Sequence, residues 1–328
     1  MHAALQEARR GLGKTSPNPA VGAVIVRGGR IIARGWHRGA GKPHAEIEAL
    51  KRTTLAAGST LYVTLEPCST HGRTPPCTDA IIRANIVRVV IGATDPNPSH
   101  AGRGFRLLEK AGIEVTTSVL AEECTALNKP FNHWIVTGLP WVIAKAGMSL
   151  DGRLTRPPGE GQWLTSAASR KHSQKLRASV DAILIGAETL RTDNPRLTVR
   201  GVRGARQPWR IVVTRSGELP ADAHLFTDEH KERTLVFKGK TLCAVLRELG
   251  RRQITSVLVE GGGEVLGQAF DQKLVNEVRF YTAPLLCGGP KIAIGGKGAA
   301  SIKAAAFLKT PVYEKIGGDV CLCGEVKT

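Results

Sequence analysis

Three observations in the sequence predict a layered α/β protein of two domains. Short apolar runs of strand length alternate with segments of helical pattern along the chain. At 328 residues the chain is long enough for two domains of ordinary size. Composition breaks near Thr137-Gly138-Leu139-Pro140, and a second strand-and-helix series follows. The expected domains are residues 1–140 and 141–328.

In the first series, residues 3–11 have helical pattern. Val21–Val26 is an apolar run, Arg27-Gly28-Gly29-Arg30 a turn and Ile31–Trp36 a second run, which together spell a hairpin. Pro43 precedes a helix from His44 to Lys51. Thr60–Leu65 is a strand, residues 68–77 a loop, and Cys77 opens a helix that runs to Arg83. Val87–Gly92 is a strand, Gly104–Ala111 a helix and Glu114–Thr117 a short strand. In the second series Trp141–Ala146, Asp181–Gly186, Arg210–Thr214, Thr234–Phe237, Ser256–Glu260 and Val278–Tyr281 are strands. Ala167–Ala178, Thr241–Leu249 and Glu264–Phe270 are helices. No internal repeat or low-complexity segment interrupts either series.

Composition excludes several classes of protein. A hydrophobic content of 42% is that of a globular protein, and no segment has the uninterrupted apolar length of a membrane helix. The first ten residues lack the apolar stretch of a secretory signal. Seven irregularly spaced cysteines suit a reducing cytoplasm better than a disulfide scaffold. Cys321-Leu322-Cys323 reads as strand packing rather than a ligand pair. The formal charge of +18 attracts nucleic acid or an anionic small molecule alike. Because the basic residues are dispersed and aromatics make up only 5%, a base-stacking surface is disfavoured and a phosphorylated substrate fits equally well.

The chemistry begins at His44-Ala45-Glu46 and continues at Pro67-Cys68 and Cys77. One imidazole and two thiolates suit zinc, and three protein ligands leave a fourth tetrahedral position for water. Zinc brings such water toward ionisation near neutral pH, and Glu46 lies two residues from the imidazole, ready to carry the proton. The order His-x-Glu, Pro-Cys, Cys is the zinc-deaminase arrangement, here with eight residues between the cysteines. These residues alone leave open a deaminase of nucleic-acid bases and a binding protein with structural zinc. In the second half, Ser256–Glu260 runs into Gly261-Gly262-Gly263 and a helix. That is either an anion-binding turn or a tight strand-to-helix connection, and it is not the dinucleotide fingerprint of the first βα turn.

Taken in order, these and further segments resemble the bifunctional deaminase–reductases of riboflavin biosynthesis, the RibD family. In the first half the resemblance rests on Pro17–Gly22, His44-Ala45-Glu46, Glu66-Pro67-Cys68 to Cys77, Asp95-Pro96-Asn97-Pro98, Ala101–Gly104 and Leu127-Asn128-Lys129. In the second it rests on Lys145, Ser149–Arg153, Gln162–Ser166, Asp193–Arg200 and Val259–Gly263. The resemblance implies a cytidine-deaminase-like three-layer α/β/α domain followed by a dihydrofolate-reductase-like α/β domain. It implies zinc-dependent deamination of a diaminopyrimidinone carrying ribose 5-phosphate, then reduction of its ribose by NADPH. It also implies a homo-oligomer, without nucleic acid or membrane as partner.

Site residues follow by the same resemblance. His44, Cys68 and Cys77 would hold Zn2+, Glu46 would move the proton, and Asn18 and Arg73 would bind the substrate. Gly147, Trp163, Thr189, Asp193, Gly262 and Gly263 would contact NADPH. Gly161, Arg177, Leu197, Arg200 and Glu260 would contact the second substrate, with Arg177 and Arg200 as phosphate clamps. Lys145 and Asp151 would line the site or form strand-end salt bridges. Two positions depart from the family's pattern. The loop between the cysteines begins Ser69-Thr70, with His71 next, where the family often has Ser-His, and Gly161 stands where serine is common, so neither side-chain contact carries over.

Overall fold

The computed structural model describes residues 1–70, 75–98, 100–154 and 163–327, and they divide into two compact units, Met1–Gly138 and Leu139–Thr328.

The first unit contains α1 (His2–Arg9), β1 (Gly22–Arg27), β2 (Arg30–Trp36), α2 (Ala45–Leu50), β3 (Thr60–Leu65) and α3 (Cys77–Arg83). It continues with β4 (Arg88–Ala93), α4 (Arg103–Lys110), β5 (Glu114–Thr116), α5 (Ala121–Leu127) and α6 (Lys129–Thr137). The strand order is β2-β1-β3-β4-β5, with β1 antiparallel to both neighbours and β3, β4 and β5 parallel.

Two glycines explain the layering. Gly22 pairs with Trp36 and Ala23 with Gly35, so Gly22 and Gly35 face opposite sides of the sheet. Gly22 lies against the backbone of α1 at Ala4 and Ala8, and Gly35 against that of α2 at Ala45 and Ala49. A Cβ at either position would collide with helix backbone, so each glycine lets a helix sit directly on the sheet. Ala23, Val63 and Ile91 face α2 and form one core with Ala49, Ile81 of α3 and Leu108 of α4. Leu5 of α1 and Cys124 of α5 form a smaller cluster with Leu65 and Ala93. The result is the expected three-layer α/β/α sandwich.

The second unit contains β6 (Trp141–Ser149), α7 (Ala167–Ser179), β7 (Ala182–Gly186), α8 (Ala187–Asp193), β8 (Trp209–Thr214), α9 (His224–Thr227) and β9 (Thr234–Lys238). α10 (Leu242–Arg251), β10 (Ser256–Val259), α11 (Gly263–Asp271), β11 (Glu277–Ala283), β12 (Leu308–Ile316) and β13 (Asp319–Val326) complete it. The eight-stranded order is β12-β13-β11-β6-β10-β7-β8-β9. It is parallel from β11 to β9, and the β12–β13 hairpin adds antiparallel to β11.

Both faces of the parallel region are covered, which is why β7 is apolar throughout and β10 is apolar after Ser256. Val142, Ala144, Leu184 and Val259 pack with Leu246 of α10 and Leu266 of α11. Ile143, Ile183, Ile185 and Leu258 pack on the other face with Leu190 of α8 and Leu176 of α7. Each fully buried Leu or Ile contributes on the order of 2 kcal/mol of apolar transfer.

Five elements escape the expectations: α5, α6, α8, α9 and β12. The Cys321-Leu322-Cys323 segment is strand packing, as expected: both cysteines lie on β13, buried in a cluster with Tyr281 and Ile316. Residues two apart on a strand share a face. On β13 the two sulfurs lie 3.6 Å apart on one side, and Arg279 Nη1 donates to Cys323 Sγ at 2.9 Å. The Arg279 and Cys321 partners hold the Cys323 thiol at about 6, with Cys321 the larger influence.

Candidate active sites

The first site gathers at the ends of β3, α2 and α3. His44 is the residue before α2, in extended backbone (φ −70°, ψ 165°), and its side chain does not cap the helix. Cys68 follows β3, and Cys77 is the first residue of α3. The loop between the cysteines closes on itself: Cys77 N–H donates to Cys68 Sγ at 3.4 Å and Thr78 N–H to the Cys68 carbonyl at 3.2 Å. His44 Nδ1 lies 3.4 Å from Cys68 Sγ and 3.3 Å from Cys77 Sγ. All three donor atoms fall within 4.8 Å of one another. Ligand distances of about 2.0 Å to nitrogen and 2.3 Å to sulfur require N-to-S separations of about 3.5 Å at a tetrahedral centre. The donor set and its spacing therefore fit zinc. The sequence motif does not reveal that Nδ1 is the nitrogen presented.

The electrostatics is that of groups sharing protons. Its hydrogen bond with Cys77 holds Cys68 down at about 4, against the effect of burial, and His44 assists. The Cys68 contact pushes His44 up to about 9. Cys77 is pushed far above the thiol range, first by Cys68 and then by burial. Glu46 is 3% exposed, and burial raises its carboxyl against the pull of His44.

Asn18 is supported by a residue that the sequence reading missed. His37 is buried beside His44, its ring edge-on at 5.3 Å. Its Nδ1 bonds the Pro43 carbonyl at 3.0 Å and its Nε2 meets Asn18 Nδ2 at 3.1 Å. A carbonyl only accepts, so Nδ1 carries the proton and Nε2 accepts from the Asn18 amide. Burial lowers the His37 pKa, which keeps the ring neutral for that role. The adjoining Ala20 backbone is gripped at both ends by the buried Asn128 amide, at 2.8 and 3.0 Å. A single histidine after a strand carries no sequence signal of this kind. Arg73 lies outside the described residues.

The second site is a cleft of about 2240 Å³ at the C-terminal ends of the parallel strands of the second unit. Gly147, Trp163, Thr189, Asp193, Gly262 and Gly263 line it. Arg177, Leu197, Arg200 and Glu260 line the same cleft, together with Lys145. Gly161 lies outside the described residues. Thr189 Oγ1 accepts the Gly262 N–H at 3.0 Å, tying α8 to the glycine turn. The Gly262 amide is thereby satisfied within the protein. Leu197 is buried with φ +51°, a left-handed conformation that costs a leucine about 1 kcal/mol or more.

Arg177 differs from its expected role as a free phosphate clamp. Its Nε and Nη2 donate to the two Glu260 oxygens, each at 2.7 Å, and Nη1 to the Thr198 carbonyl at 3.2 Å. The fork that would grip a phosphate is closed on a carboxylate. Lys145 Nζ joins Glu260 from the other side at 3.6 Å. Burial would raise the Glu260 carboxyl, but the Arg177 and Lys145 charges overcome it and hold the group at about 2. Asp151 instead forms the strand-end arrangement, accepting from Ser149 Oγ at 2.5 Å and from the Cys287 and Gly288 amides at 3.0 and 2.7 Å.

Comparison with known proteins places both units. Residues 1–93 match the cytidine and deoxycytidylate deaminase zinc-binding region, and residues 140–322 the RibD C-terminal domain. The riboflavin biosynthesis protein RibD of Actinobacillus pleuropneumoniae is 40% identical, over 98% of this chain and 93% of that protein. The structure of Acinetobacter baumannii RibD superposes with a TM-score of 0.92 at 34% identity, covering 99% of this chain and 97% of that one. The Thermotoga maritima diaminohydroxyphosphoribosylaminopyrimidine deaminase/5-amino-6-(5-phosphoribosylamino)uracil reductase superposes at 0.90 with 34% identity, covering 100% and 97%. The chain belongs to the RibD family, the bifunctional deaminase–reductases of riboflavin biosynthesis, which work with Zn2+ and NADPH.

Proposed function

We propose that residues 1–140 deaminate a diaminopyrimidinone carrying ribose 5-phosphate and that residues 141–328 then reduce its ribose. The product is 5-amino-6-(5-phosphoribitylamino)uracil. The observation that carries this reading is the convergence of His44 Nδ1, Cys68 Sγ and Cys77 Sγ beside the buried Glu46 carboxyl. When bound, zinc supplies a Lewis acid that makes water nucleophilic near neutral pH, and NADPH supplies a hydride.

His44, Cys68 and Cys77 are the metal ligands in this reading. Glu46 takes a proton from the attacking water, delivers it to the ring nitrogen, and carries the second proton to the departing ammonia. Its raised pKa suits a group that must hold a proton between the two transfers. Asn18, oriented by His37, hydrogen-bonds the pyrimidine. Arg73 is proposed for the phosphate.

In the second unit Glu260 is ionised, so its oxygens accept and never donate. It receives hydroxyl groups of the ribose, while Arg177 and Lys145 fix its position and charge. Arg200 is the clamp for the substrate phosphate, with Leu197 and Gly161 bordering the ribose. Gly147, Trp163, Thr189, Asp193, Gly262 and Gly263 hold NADPH, with the first turn of α11 toward its phosphates. The protein acts in the cytoplasm as a homo-oligomer and takes neither nucleic acid nor membrane as partner. Among the described residues no helix is long and apolar enough to cross a membrane.

The test is to supply the zinc-loaded protein with the diaminopyrimidinone substrate and NADPH. Ammonia release followed by NADPH oxidation in equal amounts is expected. Ammonia release with no NADPH oxidation would remove the second half of the reading.

A further inference from the structure

The loop that follows β4 is bolted to the metal-site strand by more structure than a surface connection requires. Glu66, 5% exposed and two residues before Cys68, accepts three backbone N–H bonds from that loop: Asp95 at 3.2 Å, Gly102 at 3.0 Å and Gly104 at 2.8 Å. Gly104 packs so closely that a Cβ there would stand 2.5 Å from the Pro67 carbonyl oxygen. Glu66 therefore ties the strand end to residues on both sides of that loop. Its effect is to carry His100 across to Thr70, where His100 Nδ1 lies 3.4 Å from Thr70 Oγ1.

Thr70 is two residues beyond Cys68, so its Cα lies at most about 7 Å from that of the ligand cysteine. In the tautomer that accepts from the Thr70 hydroxyl at Nδ1, His100 presents an Nε2–H donor at the opposite edge of the ring. His100 is thereby held against a residue two positions beyond the ligand Cys68, on the loop where the family's pattern often has histidine at position 70 and this chain has threonine.

We propose that His100 is a substrate-binding residue of the deaminase site, donating from Nε2 to an oxygen of the ribose phosphate arm in place of a histidine at position 70. The proposal rests on the deaminase reading above. It assigns no part in proton transfer to His100, so its loss falls on KM rather than on kcat.

The experiment measures ammonia release from the diaminopyrimidinone ribose phosphate by the full-length zinc-loaded protein, its H100A and H100Q variants, and the H100A/T70H double variant. Zinc content and melting temperature are recorded for each. H100A is expected to raise KM about tenfold or more, with kcat within about threefold and one zinc per deaminase site retained. H100A/T70H is expected to recover most of the loss, because it returns an imidazole to the facing side of the same contact. H100Q, which keeps a donor and the loop packing, is expected to fall between. A KM within about twofold of the unaltered protein in both H100A and H100Q would overturn the proposal. So would losses that track melting temperature and are unmoved by T70H, which is the pattern of a purely structural loop contact. If the unaltered protein itself releases no ammonia from this substrate, the deaminase reading fails and takes this inference with it.

Discussion

The two sites are built in opposite ways. The deaminase site draws its three proposed ligands and its carboxylate from residues 44–77, on segments that meet at the ends of neighbouring elements. The reductase cleft draws on residues from Lys145 to Gly296, spread over the ends of several parallel strands. In the first, a buried carboxyl is kept high by desolvation. In the second, a carboxyl equally withdrawn from water is held low by two cations. Glu46 lacks a basic side chain among its charge partners except His44, whereas Glu260 has a guanidinium and an ammonium. The same side-chain chemistry thus gives a carboxyl raised in one unit and a fixed negative charge in the other, with neighbours deciding which.

That contrast can be broken experimentally, most severely at Glu46. E46Q keeps the shape and the metal ligands but cannot carry a proton, so deamination should fall by about 10³-fold with zinc content unchanged. Loss of metal in that variant would show that Glu46 belongs to the ligand set. R177M removes one of the cations from Glu260 and leaves Lys145 alone to neutralise a buried carboxylate. Urea unfolding of the second unit should show a loss of about 3 kcal/mol, together with loss of reductase activity. A stable R177M would mean that Glu260 is neutral or solvated in the folded protein.

Acid unfolding sharpens the same point. Glu260 is held at about 2, below its ordinary 4.5, so folding favours its ionised form. Its contribution is complete above about pH 5 and is lost as pH falls through the ordinary value toward the folded one. The unaltered protein should therefore lose stability on the acid side more steeply than R177M. Smaller effects are expected where a residue only orients another. H37F removes the acceptor that holds the Asn18 amide and should raise the deaminase KM about tenfold while zinc is retained. T189V removes the acceptor of the Gly262 N–H and should weaken NADPH binding about fivefold, as titrated by cofactor fluorescence.

The local construction of the first site is why it was readable. His44, Glu46, Cys68 and Cys77 announce themselves by residue type and spacing, and the alternation of strands and helices conveys the sandwich. Glycines 22 and 35 could be seen in the sequence, but not that they seat helices on opposite faces. His37 was invisible because its value lies in a hydrogen bond to Asn18, nineteen positions away. In the second unit the resemblance located residues that converge on one cleft, yet it could not reveal that Arg177 spends its fork on Glu260. Sequence separation hides such a pair, since the two stand 83 positions apart. Cys321-Leu322-Cys323 was legible as strand packing, and the contact between the two sulfurs follows from a strand period of two, which puts residues two apart on one face.

The central claim is that two independent sites act in a fixed order, deamination before reduction. It is tested most directly by NADPH oxidation in E46Q, supplied first with the diaminopyrimidinone ribose phosphate and then with its deaminated counterpart. The account predicts no oxidation with the former and oxidation at the unaltered rate with the latter. Rapid oxidation with the diaminopyrimidinone, or none with the deaminated compound, would contradict it.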